Sequence, residues 1–400
     1  MSQPNNQGNT LPTPPNELIP YHEQCVAWLK AQIDASADNC ITFFDFMQGA
    51  LYAPGCGYYN NPSAKFGEHG DFTTAPELSA LFSHCLAKQC KQVLSELTEP
   101  CILECGGGSG QMAFDMLTYL AHHNALPQHY FILELSATLK DRQQEKLNEL
   151  PADIRRRITW LSCLPEEPFN GVIVANEVLD AMPVRRFMLN DDSNAECCVG
   201  FEDNRFVWRE RELDLSNEPD LEATLTSLPR PYLSEWNPQL APWLASMGNI
   251  LTRGAILLID YGFPHATYYH PSRREGTLMC HYQHYAHDNP LILAGLQDIT
   301  AHVDFTTIAH EGFKLGLSPL GYTTQAHFLL SMGLLSMVES DLSVVENYET
   351  MQAIKRLLLP SEMGELFAII ALGKNYTDDL QGFEMRNTLD TLTSFESCYE

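Results

Sequence analysis

A buried strand that runs directly into a glycine-rich turn constrains this chain more than any other sequence feature. Residues 101–105 read Cys-Ile-Leu-Glu-Cys, and residues 106–110 read Gly-Gly-Gly-Ser-Gly. Glycines in such a turn remove side chains where the backbone must approach a ligand. A helix is predicted from about Gln111, and its free N–H groups point to the same place. The segment therefore predicts a nucleotide-type cofactor site between a strand and a helix.

The spacing of the glycines separates three kinds of cofactor. A dinucleotide fingerprint requires Gly-x-Gly-x-x-Gly/Ala, but the third position counted from Gly106 is Gln111. A phosphate loop requires Gly-Lys-Ser/Thr at its end, and that sequence does not follow. The remaining pattern, acid-x-Gly-x-Gly-x-Gly from Glu104 to Gly110, resembles the first motif of class I S-adenosylmethionine-dependent methyltransferases. A glycine turn with a purely structural role is the alternative.

Two acids accompany this turn. Glu104 can hold the ammonium group of the cofactor, directly or through water. Glu134 follows the second apolar strand, and an acid about twenty residues beyond the loop suits a ribose diol. The position of Glu134 relative to the glycine turn favours a cofactor site over a structural turn.

Composition limits the partners and the compartment. The net charge of −27 disfavours nucleic acid, whose binding depends on Lys and Arg that neutralise phosphates. It would attract a basic partner, although solubility alone is an alternative reason for it. No apolar run approaches the roughly 20 residues of a membrane span, so no membrane insertion is expected. Twelve cysteines without a Cys-x-x-Cys pair favour buried thiols, and we expect a cytoplasmic, bacterial protein.

Alternating strand and helix patterns over residues 96–263 predict the core. Buried strands are expected at 101–105, 130–134, 158–162 and 172–177, with helices at 111–123 and 136–149. Such alternation is typical of parallel strands with right-handed crossovers. The predicted fold class is therefore α/β, a Rossmann-like class I methyltransferase sheet with helices on both faces. A change to alternating apolar residues predicts a hairpin insertion at about 185–210.

Helical patterns also precede and follow the core. In the N-terminal segment, Thr74-Ala75-Pro76-Glu77 predicts the start of one helix that continues to Leu94. The other predicted ranges are a disordered tail at 1–20, an N-terminal helical segment at 21–95 that covers the cofactor site, a helical and loop substrate region at 264–350, a closing strand of the core at 351–374 and a loose acidic tail at 375–400.

Polar residues at the carboxyl ends of the predicted strands are candidates for chemistry, because ligands of open α/β sheets bind at that edge. A buried strand delivers Asn176 and Glu177, and Asp180 follows one helical turn later. Buried carboxylates must be paired, so a cationic acceptor suits Glu177 and Asp180. The alternative is that either acid caps a helix or pairs with Arg185.

Three histidines, His281, His284 and His287, repeat at a spacing of three. Such a set, with Asp288, could ligate a metal. No cysteine pairs with them at finger spacing and no His-Glu-x-x-His sequence occurs, so we expect no metal site.

Six segments in order resemble the MidA-like family, which includes bacterial proteins and the mitochondrial complex I assembly factor that methylates an arginine. They are residues 70–77, the glycine turn, Glu134-Leu135-Ser136, residues 175–184, Asp260-Tyr261-Gly262 and residues 298–305. One departure is that relatives usually have Gly-Pro-Gly where this chain has Gly106-Gly107-Gly108. The resemblance implies a class I methyltransferase fold with a largely helical additional region near the cofactor. It also implies S-adenosylmethionine as the cofactor and, from the mitochondrial relative, a protein arginine as the acceptor.

The predicted function is therefore methyl transfer from S-adenosylmethionine to a protein arginine, with a respiratory complex I subunit as a candidate partner. A non-catalytic assembly chaperone that binds S-adenosylmethionine and a small-molecule methyltransferase are the alternatives. The oligomeric state stays open, and a homodimer is one option. We predict Glu177 and Asp180 as catalytic residues. The predicted cofactor-binding residues are Glu104, Gly106, Gly108, Gly110, Glu134, Ser162, Asn176, Thr73, Thr74 and Pro76, and the predicted substrate-binding residues are Asp71, Glu77, Asp260, Tyr261 and His302.

Overall fold

The computed structural model of the chain describes residues 11–62, 74–216, 218–338 and 344–392. The strands are β1 Ile41–Thr42, β2 Cys101–Cys105, β3 His129–Leu133, β4 Ile158–Leu161, β5 Phe169–Asn176, β6 Arg185–Leu189, β7 Asn194–Glu202, β8 Arg205–Glu212, β9 Tyr232–Trp236, β10 Leu251–Phe263, β11 Met279–Tyr282, β12 Tyr285–His287, β13 Asp298–Thr300, β14 Val303–Asp304, β15 Ser318–Thr324 and β16 Phe367–Lys374. The helices are α1 Ile19–Ala35, α2 Phe43–Tyr52, α3 Ala75–Leu78, α4 Ala80–Leu94, α5 Gln111–His122, α6 Ala137–Leu147, α7 Ala152–Arg155, α8 Pro219–Leu225, α9 Leu240–Ile250, α10 His265–Tyr268, α11 Phe305–Lys314, α12 Gln325–Ser331, α13 Val344–Leu358 and α14 Met363–Leu366. Short 3-10 helices occur at Tyr58–Asn60, Leu334–Met337, Gln381–Phe383 and Leu389–Leu392.

A twisted central sheet organises the molecule, with the strand order β15-β16-β10-β5-β2-β3-β4 and β14 paired to β10. From β10 to β4 every neighbouring pair is parallel. The strand β16 runs antiparallel to both of its neighbours. The chain order reverses between β2 and β5, so the crevice where ligands bind in doubly wound sheets lies at the ends of these strands.

Apolar side chains of this sheet alternate between two cores, one on each face. Ile102 and Val172 face a core that includes α4 and α5, whereas Leu103 and Ile173 face one that includes α9 and α11. This alternation follows from the two-residue period of a strand. It confirms the predicted α/β class with helices on both faces.

The predicted hairpin insertion is a larger antiparallel sheet. Strands β6, β7 and β8 form the expected meander, and β1 and β9 extend it on either side in the order β1-β7-β6-β9, with β8 also paired to β7. Helices α1 and α2 share a core with this sheet through residues such as Leu29, Phe46 and Val199. The part of the chain outside the central sheet therefore combines these helices with an antiparallel sheet.

The range 264–350 also contains strands that the sequence did not indicate. Strands β12, β11 and β13 form a three-stranded antiparallel sheet, and β15 is an edge strand of the central sheet. The weak apolar period of 264–300 concealed the small sheet. The domain limits themselves stay predictions.

Two further local predictions require correction. The helix expected from Thr74 to Leu94 is broken at Ser79, whose extended backbone separates α3 from α4 and whose hydroxyl caps α4. The acidic tail is packed rather than loose over residues 375–392, because Tyr376, Leu380 and Phe383 are buried against the core. Within the described ranges, no helix has the length and apolar character that crossing a membrane requires.

Candidate active site

The glycine turn joins the buried strand β2 to helix α5. Gly106, Gly108 and Gly110 all have positive φ angles, of 68°, 53° and 87°, which glycine adopts at little cost. Gly107 and Gly110 are also restricted by packing, because a Cβ atom would lie 2.8 Å from Ile132 at Gly107 and 3.1 Å from Gln143 at Gly110. Gly106 and Gly108 line the adjacent cavity, whereas Gly110 lies outside its lining and caps α5.

Glu104 presents a buried carboxylate to this cavity. It is only 1% exposed, and its Oε2 atom accepts a 2.7 Å hydrogen bond from the Tyr130 hydroxyl. Its Oε1 atom is buried without a hydrogen-bond partner among the described residues. Burial raises the pKa of Glu104 to about 7, although the Tyr130 hydrogen bond lowers it. An unpaired buried carboxylate oxygen fits the ammonium group of an amino acid moiety.

Glu134 lies directly after β3 and lines the same cavity. Its Oε1 accepts from the Ser136 amide at 2.8 Å, and its Oε2 accepts from Gln143 Nε2 at 2.8 Å. The same Nε2 donates to the Gly108 carbonyl at 3.1 Å, so Gln143 ties this acid to the glycine turn. Backbone hydrogen bonds from Leu135 and Gly107 also act on this carboxylate, which lies on the cavity wall after the second strand, where a ribose diol is expected. Leu135, 75% exposed, also lines the cavity.

The cavity has a volume of about 630 Å³, within the range of small-molecule and cofactor sites. Its wall includes the glycine turn and the Glu134 segment, the loops that follow β5 and β10, and parts of the N-terminal helices. Residues from distant parts of the chain that also line it include Gln48, Tyr52, Tyr59, Asn176, Glu177, Asp180, Gln239, Trp243, Tyr261, Asp298 and Thr300.

The loop after β5 carries Glu177 and Asp180, and it is not helical. Glu177 has a φ angle of 52°, a left-handed conformation uncommon for a residue with a side chain. Burial raises the pKa of Glu177 to about 8, with a further contribution from Asp180. Asp180 is 6% exposed, and burial together with Asp260 and Asp298 raises its pKa well above the usual range. The alternative partner Arg185 is engaged elsewhere, since it forms a bidentate pair with Glu196.

Asp260 lies beneath this loop instead of lining the cavity. Its Oδ2 accepts from the amides of Leu179 and Asp180 at 2.9 and 3.2 Å, and its Oδ1 accepts from the Tyr261 amide at 2.8 Å. Burial and the charge of Glu177 raise its pKa to about 8. The geometry makes Asp260 a residue that orients the loop, whereas Tyr261 reaches the cavity itself.

Of the other predicted site residues, some line the cavity and some do not. Thr74, Pro76 and Glu77 line the cavity, and Glu77 accepts a hydrogen bond from the Ser109 hydroxyl. Ser162 is exposed beyond β4 and does not line the cavity. Asp71 and Thr73 lie outside the described residues.

His302 lines a second cavity of about 360 Å³, next to the first. Its ring stacks on Phe263 with centroids 5.1 Å apart. Burial and the charge of Arg273 lower its pKa to about 4, so it is neutral at physiological pH. The structure therefore separates His302 from Glu177 and Asp180, with which it was predicted to share a site.

The histidine triplet lies on a β-hairpin. His281 is opposite Ala286 and His287 is opposite Cys280, which puts His281 and His287 on opposite faces of the hairpin. Only His281 reaches the cofactor cavity. Within the described ranges, the side chains close enough together to hold a metal ion are those of Asp220, His310 and Glu311, away from this triplet.

Several residues of the site were not predicted from the sequence. Asp298 and Tyr59 meet through a 3.1 Å hydrogen bond although 239 positions separate them, and Tyr52 donates to the Ala181 carbonyl at 2.9 Å. The segment 298–305 did carry a signal, because it belongs to the family pattern. Tyr52, Tyr59 and Gln143 had no comparable signal, since only the tertiary fold brings them to the site.

The doubly wound sheet, the glycine turn and the two cofactor-facing acids define a class I S-adenosylmethionine-dependent methyltransferase. A family model described as S-adenosyl-L-methionine-dependent methyltransferase matches residues 85–323, and the chain belongs to that family. A protein of Burkholderia thailandensis, solved bound to S-adenosyl-homocysteine, is 38% identical over 94% of this chain and 99% of its own, with a TM-score of 0.89.

Curated relatives are more distant. The mitochondrial protein arginine methyltransferase NDUFAF7 of Xenopus laevis is 24% identical over 88% of this chain and 83% of its own. Its homologue in Drosophila melanogaster is 26% identical over 88% and 85%. The cofactor of this chain is S-adenosylmethionine, in agreement with the solved relative and with the unpaired oxygen of Glu104.

Proposed function

We propose that the chain transfers a methyl group to a guanidinium nitrogen of an arginine in a protein. The observation that carries this proposal is the group of three carboxylates on the wall of the cofactor cavity, of which Asp180 and Asp298 are buried and Glu177 is partly buried. Buried carboxylates require a compensating positive charge. An arginine, whose pKa is above about 12, supplies that charge at any physiological pH.

The names of the curated relatives support the same acceptor, because they are protein arginine methyltransferases. The net charge of −27 would also favour encounter with a basic segment of a partner. A subunit of respiratory complex I is the partner that the family resemblance implies.

When bound, S-adenosylmethionine supplies a methyl group on a positively charged sulfur, which becomes neutral S-adenosylhomocysteine once a nitrogen has taken the methyl. Glu177 and Asp180 would grip the planar guanidinium fork and turn one nitrogen toward the methyl group. Such placement can supply about 7–11 kcal/mol of the barrier.

The nitrogen that forms the new N–C bond must lose one proton, and the methylated guanidinium keeps a single positive charge. A bound guanidinium favours the ionised form of Glu177, whose pKa is about 8 without a ligand, and the ionised carboxylate can accept that proton and pass it to water. Asn176 Nδ2 donates to Glu177 Oε1 at 3.1 Å, which orients the acid.

Replacement of the proposed base tests this assignment. In Glu177→Gln we expect transfer of labelled methyl groups to proteins from a strain lacking the gene to fall by about 100-fold or more. Calorimetry should show that the variant still binds S-adenosylmethionine, because Glu104, Glu134 and the glycine turn are unchanged. The exposed Glu149→Gln is the matched control.

The same assay separates the competing functions. Normal methylation by Glu177→Gln would refute the assignment of Glu177 as the base and as one of the two acids that hold the guanidinium. Label that the wild type transfers only to small molecules would identify a small-molecule methyltransferase. Tight cofactor binding without any transferred label would identify a non-catalytic protein.

A further inference from the structure

Asp298 is the third acid on the cavity wall, and the proposed function gives it no contact with the guanidinium. It begins strand β13 and is 2% exposed. Its Oδ1 atom accepts hydrogen bonds from the Tyr59 hydroxyl at 3.1 Å and from the Ile299 amide at 3.0 Å. These contacts fix the carboxylate on the wall of the cavity.

Asp298 faces the same space as the two acids of the β5 loop. Its charge contributes to the raised pKa values of both Glu177 and Asp180, so the three carboxylates are close enough to repel one another. Three acids around one space are costly without a cation between them. A guanidinium group presents five N–H donors. One bidentate pair with a carboxylate does not use all of them.

Two tyrosines connect the N-terminal helices to this space. The rings of Tyr52 and Tyr59 stack with centroids 5.4 Å apart. Tyr52 donates to the carbonyl of Ala181, next to Asp180, and Tyr59 donates to Asp298. Both tyrosines line the cavity, and aromatic faces there attract cations.

We propose that Asp298 is a third acceptor-binding carboxylate, and that Tyr52 and Tyr59 make the site selective for a planar guanidinium over a compact ammonium. Tyr59 is a positioning residue for Asp298. The selectivity follows from the ability of a guanidinium to stack on aromatic rings while its fork meets carboxylates, whereas an ammonium is a point charge. The inference rests on the proposed function, and it adds residues from α2, the following 3-10 helix and β13 to the acceptor site.

The test uses the full chain saturated with S-adenosylhomocysteine and two probes, N-acetyl-arginine amide and N-acetyl-lysine amide. In calorimetry, the wild type should bind the arginine probe more tightly than the lysine probe. Asp298→Asn should weaken binding of the arginine probe by about ten-fold or more, the scale of one lost charged hydrogen bond. Tyr59→Phe should give a smaller loss, and Asp298→Glu should recover part of it.

Controls keep the outcomes distinct. Asp141→Asn, on the exposed face of α6, should bind both probes as the wild type does. Melting curves and binding of S-adenosylhomocysteine verify folding, and Tyr59→Phe serves if Asp298→Asn fails to fold. If folded Asp298→Asn or Tyr59→Phe binds the arginine probe as tightly as the wild type does, this inference is overturned and the proposed function is not. Absence of arginine binding by the wild type overturns it together with the proposed function.

Discussion

At the scale of single residues, the unpaired oxygen of Glu104 makes cofactor binding sensitive to pH. The pKa of this acid is raised to about 7 because it is buried. A bound ammonium group favours the charged carboxylate and lowers that pKa. Binding therefore expels a proton from Glu104 at pH values below about 7.

Affinity for S-adenosylmethionine should consequently increase as the pH rises from about 5.5 to 7.5, just below the range in which an α-amino group loses its own proton. Calorimetry across this range, in buffers of different ionisation enthalpy, measures both the affinity and the released proton. Glu104→Gln should bind more weakly and without this pH dependence. An unchanged slope in the variant would assign the proton to another group.

Some residues of the site could be predicted from their position in a strand, whereas the contacts of others could not. Glu104 lies near the carboxyl end of an apolar strand, and Glu134 and Glu177 directly follow two others. The rule that ligands bind at the carboxyl edge of a parallel sheet brings all three to one cavity without further information. Asp260 obeys the same rule, yet its side chain points to backbone amides. Strand position predicts the edge on which a side chain lies, but it does not predict the partner that the side chain finds.

At the scale of elements, long apolar strands and periodic helices were predictable because their burial pattern is local. The strands β11 to β13 have at most four residues each and mix His, Asp and Thr with apolar residues, so no period identifies them. Their stability depends on tertiary packing, which a single sequence does not display.

The break between α3 and α4 gives a test at this scale. Ser79 Oγ accepts from the Leu81 amide at 3.2 Å, and loss of an N-cap costs about 0.5–2 kcal/mol. Ser79→Ala should lower the free energy of unfolding by this amount in urea denaturation. Ser95→Ala, at the exposed other end of α4, should have a smaller effect. Equal losses would mean that the Ser79 hydroxyl does not act as a cap.

At the scale of the whole molecule, the acids of the cavity couple folding to pH. The pKa values of Glu104, Glu177 and Asp260 are raised to about 7, 8 and 8 by burial, whereas unfolded carboxyl groups titrate near about 4. Between these values the folded protein holds more protons than the unfolded chain. Its stability must then fall as pH increases, up to about pH 8.

Without a ligand, the melting temperature should therefore decrease between about pH 6 and pH 8 at constant ionic strength. Glu177→Gln cannot ionise at this position, so its melting temperature should decrease less steeply than that of the wild type. Scanning calorimetry of both proteins measures the two slopes, and the exposed Glu149→Gln controls for the loss of one charge from the total of −27. If the slope of Glu177→Gln equals that of the wild type, the pH dependence arises outside the acceptor site and Glu177 is ionised in the folded protein across this range.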